Sequence, residues 1–159
     1  IDDDVRKKAY QVVNSGQLWQ SMREEPGYSE GVDAIFDILS QGEYEERKAF
    51  WANLPSTKDM QTLWDYISKY NPIILSAPWV INGKVDQACV EGKKKWLEKL
   101  NPQPRKVIID TNKHQYAQGN HILIDDMDKY VTPWGDSGGI AIKHISTQNT
   151  IKELEKWLL

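Results

Sequence analysis

The sequence predicts an α/β protein in which a block of helices precedes a parallel sheet. Short apolar runs alternate with helical segments in the second half of the chain, and this alternation is typical of a doubly wound parallel sheet. In residues 1–70 the apolar side chains recur at helical spacing instead. We therefore predict two domains, a helical region over residues 1–70 and an α/β core over residues 71–159.

Helices are predicted throughout the first region from the spacing of its apolar side chains. The acidic residues Asp2–Asp4 favour a helix N-terminus, and Ser29 is suited to cap the helix that follows it. The predicted helices cover residues 5–13, 29–39 and 43–54, and a fourth helix starts at the capping-box-like Ser56-x-x-Asp59 and carries Met60, Leu63, Trp64 and Ile67 on one face.

Apolar runs in the second region predict buried strands, because a strand covered on both faces of a parallel sheet is continuously apolar. The runs lie at residues 73–75, 107–109, 122–124 and 140–142. Helices are predicted over residues 85–100 and 128–131, with Val85 on the inward face of the first. A terminal helix is predicted from Thr147 or Asn149 onward.

Polar residues follow three of these strands. Ser76 ends the first, Lys113 comes shortly after the second, and Asp125 and Asp126 end the third. Ligands of open α/β sheets bind outside the carboxyl ends of the strands. Adjacent carboxylates repel each other and paired oxygens suit Mg²⁺, so a hydroxyl, a lysine and an acid pair predict a phosphate-binding metal site. The alternative is a solvated turn in which Asp126 caps the next helix.

Several segments of the core resemble motifs II, III and IV of the haloacid dehalogenase (HAD) superfamily, in particular its 5′(3′)-deoxyribonucleotidase-like branch with its phage members. The segments are Ile74-Leu75-Ser76-Ala77, Lys113-His114-x-Tyr116-Ala117, Ile122-Leu123-Ile124-Asp125-Asp126 and Gly138-Gly139-Ile140-x-Ile142. The resemblance covers roughly residues 48–158. It implies a three-layer, Rossmann-like parallel sheet with an N-terminal helical cap.

The resemblance also implies a function and a role for each matching residue. The function would be Mg²⁺-dependent hydrolysis of a phosphomonoester, with a nucleotide 5′- or 3′-phosphate or a nucleic-acid end as the substrate. Ser76 and Ala77 would bind the phosphate, and Lys113 would be catalytic by neutralising both the nucleophile and the phosphoryl group. Asp126 would ligate Mg²⁺, and Asp125 would ligate the ion or support it.

One motif of this family is missing from the sequence. Motif I is an apolar strand ending in Asp-x-Asp-Gly, and it supplies the aspartate nucleophile and the general acid. The nearest match, Asp2-Asp3-Asp4-Val5, has no strand before it. We expect that the chain lacks the N-terminal part of a longer protein, and that a gap or an outside strand separates the strands at 73–76 and 122–125. The alternative is a natural non-catalytic HAD-like module that binds a partner or has a structural role.

In the same interpretation the helical region is the cap, which selects the substrate by contacting its leaving group. Phe50 and Trp51 are its aromatic candidates for contacting a base, and packing in the core is the alternative role for both.

Composition excludes several other classes of protein. The chain has 20 basic and 23 acidic residues, a net charge of −3, and no polybasic run, which argues against bulk binding of nucleic acid. A single cysteine, Cys89, fits a reducing compartment. No signal-peptide pattern is present, and no apolar run approaches the ~20 residues that span a bilayer. We expect a cytoplasmic protein without a membrane partner.

The segment Gly135-Asp136-Ser137-Gly138-Gly139 matches the surroundings of the nucleophilic serine in chymotrypsin-like proteases. That fold is all-β, whereas this sequence predicts helices and an α/β core, so the match lacks its structural context. A turn leading into the last strand is the prediction for this segment.

Overall fold

A computed structural model of the chain describes residues 1–14 and 30–158. The strands are β1 (Ile73–Ser76), β2 (Val80–Ile81), β3 (Lys84–Val85), β4 (Lys106–Ile109), β5 (Ile122–Asp125) and β6 (Ile140–Lys143). The α-helices are Asp3–Asn14, Glu30–Gln41, Tyr44–Ala52, Met60–Ile67, Gln87–Leu97, Asp128–Asp136 and Thr147–Leu158. The predicted α/β class is therefore confirmed, and the predicted cap at Ser29 lies outside the described residues.

The chain separates into two compact units. The first contains residues 1–57 and 78–103, and the second contains residues 58–77 and 104–159. The predicted domains were divided at residue 70, whereas these units divide the chain at other positions.

In residues 1–14, 30–57 and 78–103, the described part of the first unit, the regular elements are helices and one short hairpin. The core of this unit is formed by apolar faces of four helices, and the buried members are Ala9, Val13, Ala34, Ile35, Ile38, Leu39, Phe50, Trp51 and Cys89. Arg47 forms a bidentate pair with Asp86, with both N–O distances at 3.1 Å. Asp86 also caps the helix Gln87–Leu97 by accepting a hydrogen bond from the Ala88 N–H.

The hairpin corrects one prediction. Val85 was predicted to face inward on a helix, but it lies in β3, pairs with Val80 of β2 and is exposed. The cause is the Asn82-Gly83 turn, whose two residues have φ of 50° and 77°. This sign of φ suits the tight turn of a two-residue hairpin, so the helix starts only after Asp86.

The second unit contains two parallel ladders. In one, β1 pairs with β4, placing Ser76 opposite Ile109; in the other, β5 pairs with β6, placing Asp125 opposite Lys143. Within the described residues β1 and β5 are not hydrogen-bonded to each other, so the direct pairing that would have contradicted the predicted gap does not occur. These four strands form two separate ladders, so the predicted single sheet is not confirmed.

Close helix packing in the first unit depends on Gly92. A Cβ at this position would overlap the Lys48 carbonyl oxygen and lie 2.7 Å from the Trp51 Cβ. Gly135, in the helix Asp128–Asp136, has nothing within 4 Å of an added Cβ.

We expect Gly92→Ala to lower the free energy of unfolding by about 1–3 kcal/mol, because the overlap outweighs the better helix propensity of alanine. Gly135→Ala is the matched control and should leave stability unchanged or raise it by up to about 1 kcal/mol. Urea denaturation of both variants measures the difference. A stabilising Gly92→Ala would contradict this account of the packing.

Candidate functional site

The carboxyl ends of β1 and β4 lie side by side. The Asp110 N–H, directly after β4, donates a hydrogen bond of 2.9 Å to the Ser76 carbonyl oxygen at the end of β1. Ser76 and Ala77 are half-buried. The predicted phosphate-binding segment is therefore next to the loop that leads from β4 to Lys113.

Asp110 holds that loop in a compact turn. Its Oδ1 accepts a hydrogen bond of 2.9 Å from the Asn112 N–H, and its Oδ2 accepts one of 2.7 Å from Gln115 Nε2 and one of 2.8 Å from the Tyr116 hydroxyl. The Asn112 bond, followed by the Tyr116 bond, lowers the pKa of the Asp110 carboxyl. The turn ends in a 3₁₀ helix, Lys113–Tyr116, which presents Lys113.

Lys113 and Asp125 form a buried ion pair. Lys113 Nζ lies 2.6 Å from Asp125 Oδ2, and the two side chains are only 7% and 8% exposed. The ammonium also lies 4.0 Å from the centroid of the Tyr130 ring, a favourable cation–π distance. The structure thus brings together two of the predicted site residues, one from the turn after β4 and one from the end of β5.

The two adjacent aspartates have different surroundings. Asp125 uses one oxygen for Lys113 and the other to accept a hydrogen bond of 3.0 Å from the Met127 N–H. Asp126 is exposed. The helix that follows begins at Asp128 with Met127 in the capping position, one residue later than the cap that the alternative placed at Asp126.

This arrangement restricts how Mg²⁺ could be held. Among the residues that the structure describes, no group of three or more His, Cys, Asp or Glu side chains could ligate a metal ion. Both oxygens of Asp125 already have protein donors. Mg²⁺ is commonly bound through one or two carboxylates with water and substrate phosphate completing its shell. Asp126 fits that mode of binding, and Asp125 fits the role of a supporting residue.

Other sequence-predicted residues have structural roles. Asp2 accepts a hydrogen bond from the Val5 N–H at the start of the helix Asp3–Asn14, which is not the strand end that motif I requires. Phe50 and Trp51 are 2% and 4% exposed in the core of the first unit, so the structure shows the packing role for both.

The protease-like segment is partly helix and partly turn. Gly135 and Asp136 are the last residues of the helix Asp128–Asp136, and the predicted turn into β6 is formed by the residues that follow, where Gly138 has a φ of 92°. A Cβ at Gly139 would overlap the Trp134 indole. Gly138 and Gly139 therefore serve chain reversal and close packing.

Asp110 is the residue that sequence reasoning missed. A signal was present, because Asp110 follows the apolar run Val107-Ile108-Ile109 as Asp125 follows Ile122-Leu123-Ile124. It was overlooked because a single aspartate after a strand is typical of an ordinary turn.

No family model, curated protein or solved structure matches the chain. The resemblance to the HAD superfamily therefore rests on the motifs themselves. No helix of the described residues is long and apolar enough to cross a membrane.

We expect Lys113→Met to lower the free energy of unfolding by about 3–5 kcal/mol, because it leaves the Asp125 carboxylate buried without its counter-charge. The double variant Lys113→Met/Asp125→Leu should recover most of this loss. Lys143→Met is the control, since it breaks an exposed pair with Asp128 and should cost no more than about 1 kcal/mol. Equal losses for Lys113→Met and Lys143→Met in urea denaturation would contradict the buried pair.

Asp110 should make stability depend on pH in the acid range. Its pKa is lower in the folded protein, so its contribution is complete above the ordinary carboxyl pKa of about 3.9 and is lost as the pH falls through the folded value. Asp110→Asn should therefore flatten the stability profile below about pH 4. Asp136→Asn, at an exposed position, should leave the profile unchanged. The same slope in wild type and Asp110→Asn would refute this assignment.

Proposed function

We propose that the chain carries the phosphate-binding and metal-binding part of a HAD-type, Mg²⁺-dependent phosphohydrolase. The observation that carries the proposal is the buried Lys113–Asp125 pair, held where strands from both parallel ladders end. A lysine almost removed from water, fixed by a carboxylate next to an exposed second carboxylate, is the arrangement that the HAD motifs imply. The separation of the two ladders is compatible with a motif I strand between them.

In this proposal the described residues bind and orient the phosphate. The Ser76 hydroxyl and the Ala77 N–H donate hydrogen bonds to phosphate oxygens, and Lys113 supplies positive charge. An ammonium has three N–H donors, and one of them is directed at Asp125. The others remain to bind the phosphoryl oxygens as negative charge builds up during transfer.

Asp126 would hold Mg²⁺ together with the substrate phosphate. The ion supplies Lewis-acid stabilisation of the phosphoryl group. Asp125 holds the Lys113 ammonium in place through their hydrogen bond.

The reaction needs a nucleophile that this sequence does not contain. An aspartate oxygen from the motif I segment would attack phosphorus while the bond to the leaving oxygen breaks, and that oxygen takes a proton from the second motif I aspartate. Water then attacks the aspartyl phosphate, releasing inorganic phosphate and regenerating the carboxylate. We propose nucleotide 5′- or 3′-phosphates as the substrates, with other phosphomonoesters and nucleic-acid ends in the same chemical class.

A non-catalytic HAD-like module is the second candidate. The observation that favours it is the mutual neutralisation of Lys113 and Asp125 together with the lack of a three-residue metal cluster in the described part of the chain. The coding sequence upstream distinguishes the two candidates, because only the enzyme requires an apolar strand ending in Asp-x-Asp-Gly.

In the protein that includes the motif I segment, Asp126→Asn should reduce Mg²⁺-dependent hydrolysis of nucleoside monophosphates by at least about 10²-fold. Its effect on stability should be small or favourable, because the substitution relieves repulsion between adjacent carboxylates. Asp136→Asn, an exposed aspartate outside the site, is the control and should keep full activity.

A calorimetric titration with Mg²⁺ gives the deciding comparison. Wild type and Asp136→Asn should bind Mg²⁺, and Asp126→Asn should bind it more weakly. Equal weak binding by all three proteins would rule out the enzyme and favour the non-catalytic module.

A further inference from the structure

The Asp110 carboxylate accepts hydrogen bonds from Asn112, Gln115 and Tyr116, and we call this arrangement the Asp110 clamp. Its geometry suggests a role besides shaping the local turn. All three of these hydrogen bonds come from the segment that contains Lys113. Along the chain, Lys113 is therefore flanked by residues that donate hydrogen bonds to the Asp110 carboxylate. The bonds to Gln115 and Tyr116 fold the chain back over five and six residues.

Asp110 is itself fixed to the strand ends. Its N–H donates to the Ser76 carbonyl oxygen, which extends the register of the β1–β4 ladder by one residue. The turn is closed at its other end by the Ala117 N–H, which donates to the His114 carbonyl oxygen. The backbone of Lys113 is therefore held on both sides relative to the segment that carries Ser76.

Lys113 needs such support because its side chain is long and its charge is buried. A lysine side chain loses rotamer freedom when it is ordered, and its ammonium must reach Asp125 Oδ2 at 2.6 Å. A small shift of the turn would break this contact and leave two charges without a partner in a poorly solvated place. Among the described residues Asp110 forms no ion pair with Lys113, and its side chain instead accepts hydrogen bonds from Asn112, Gln115 and Tyr116.

We propose that Asp110 is a positioning residue for Lys113, acting through the clamp to Asn112, Gln115 and Tyr116. It fixes the position of the ammonium relative to Asp125. The positioning of Lys113 is a property of the fold. Only the expected effect of Asp110 and Tyr116 on catalysis rests on the proposed function. If Asp110 only stabilised the turn, its replacement would leave the hydrogen-exchange rate of the Lys113 ammonium unchanged.

The test is hydrogen exchange of the lysine side-chain ammonium groups, followed by ¹⁵N NMR at mildly acidic pH and low temperature. A buried ammonium in an ion pair exchanges slowly enough to give a cross-peak, and the loss of that peak in Lys113→Met assigns it. Asp110→Asn and Tyr116→Phe should each speed this exchange by at least about tenfold, since losing one hydrogen bond to a charged group shifts a local opening equilibrium by about that factor. Asp136→Asn should leave the rate unchanged.

Unchanged exchange at Lys113 in Tyr116→Phe, with the variant folded, would overturn the proposal, as would unchanged exchange in Asp110→Asn. Tyr116→Phe keeps the test decisive if Asp110→Asn does not fold, because it removes a single donor and retains the ring.

Activity separates this inference from the proposed function. In a protein with Mg²⁺-dependent hydrolysis, Tyr116→Phe should lower kcat/KM by about tenfold, and Asp136→Asn should not. If exchange at Lys113 is faster in Asp110→Asn and Tyr116→Phe than in wild type, but the protein that includes the motif I segment hydrolyses no phosphomonoester, the positioning role is supported and the phosphohydrolase is refuted. Activity that persists in Tyr116→Phe with unchanged exchange would refute the positioning role alone.

Discussion

The ion pair between Lys113 and Asp125 is the interaction on which the candidate site depends. Taking two charges out of water is unfavourable, and their mutual attraction offsets that cost only when the geometry is good. Here the geometry is good, with 2.6 Å between the charged atoms, an aromatic ring beside the ammonium and a backbone N–H on the second carboxylate oxygen. Well-packed apolar residues often replace such pairs without loss of stability. Stability alone therefore does not account for the pair, and this is why we propose that it takes part in binding a phosphate, for which lysine is a common ligand.

The rest of the second unit provides the positions of these two charges. Parallel pairing places the ends of β1 and β4 together and the ends of β5 and β6 together, and the His144 N–H donates to the Asp125 carbonyl oxygen just beyond the second ladder. The Asp110 turn carries Lys113 from the first ladder to Asp125 on the second. One short segment therefore links both ladders at the edge where the sequence predicted ligand binding.

Much of this could be predicted from the sequence, and the exceptions have physical reasons. Continuous apolar runs identified β1, β4, β5 and β6, and the ends of those runs pointed to Lys113 and Asp125. The burial of these strands on both faces was overestimated, because most of their residues are only half-buried. The Asp110 clamp was missed because Gln115 and Tyr116, five and six residues further along the chain, fold back onto Asp110. Hydrophobic periodicity gives no information about such contacts. The β2–β3 hairpin was missed because its strands are two residues long, although Asn82-Gly83 is a typical hairpin turn. The different environments of Asp125 and Asp126 also required coordinates, because Asp126 lies just beyond β5, where the alternation of a strand no longer predicts the direction of a side chain.

A crystal structure with Mg²⁺ and tungstate, a phosphate analogue with a strong anomalous signal, tests the central claim most directly. The account predicts an anomalous peak within hydrogen-bonding distance of Lys113 Nζ, next to the Ser76–Ala77 segment, with Asp125 still paired to the ammonium. An anion site elsewhere, with Lys113 contacting only Asp125, would contradict the assignment of this pair to phosphate binding.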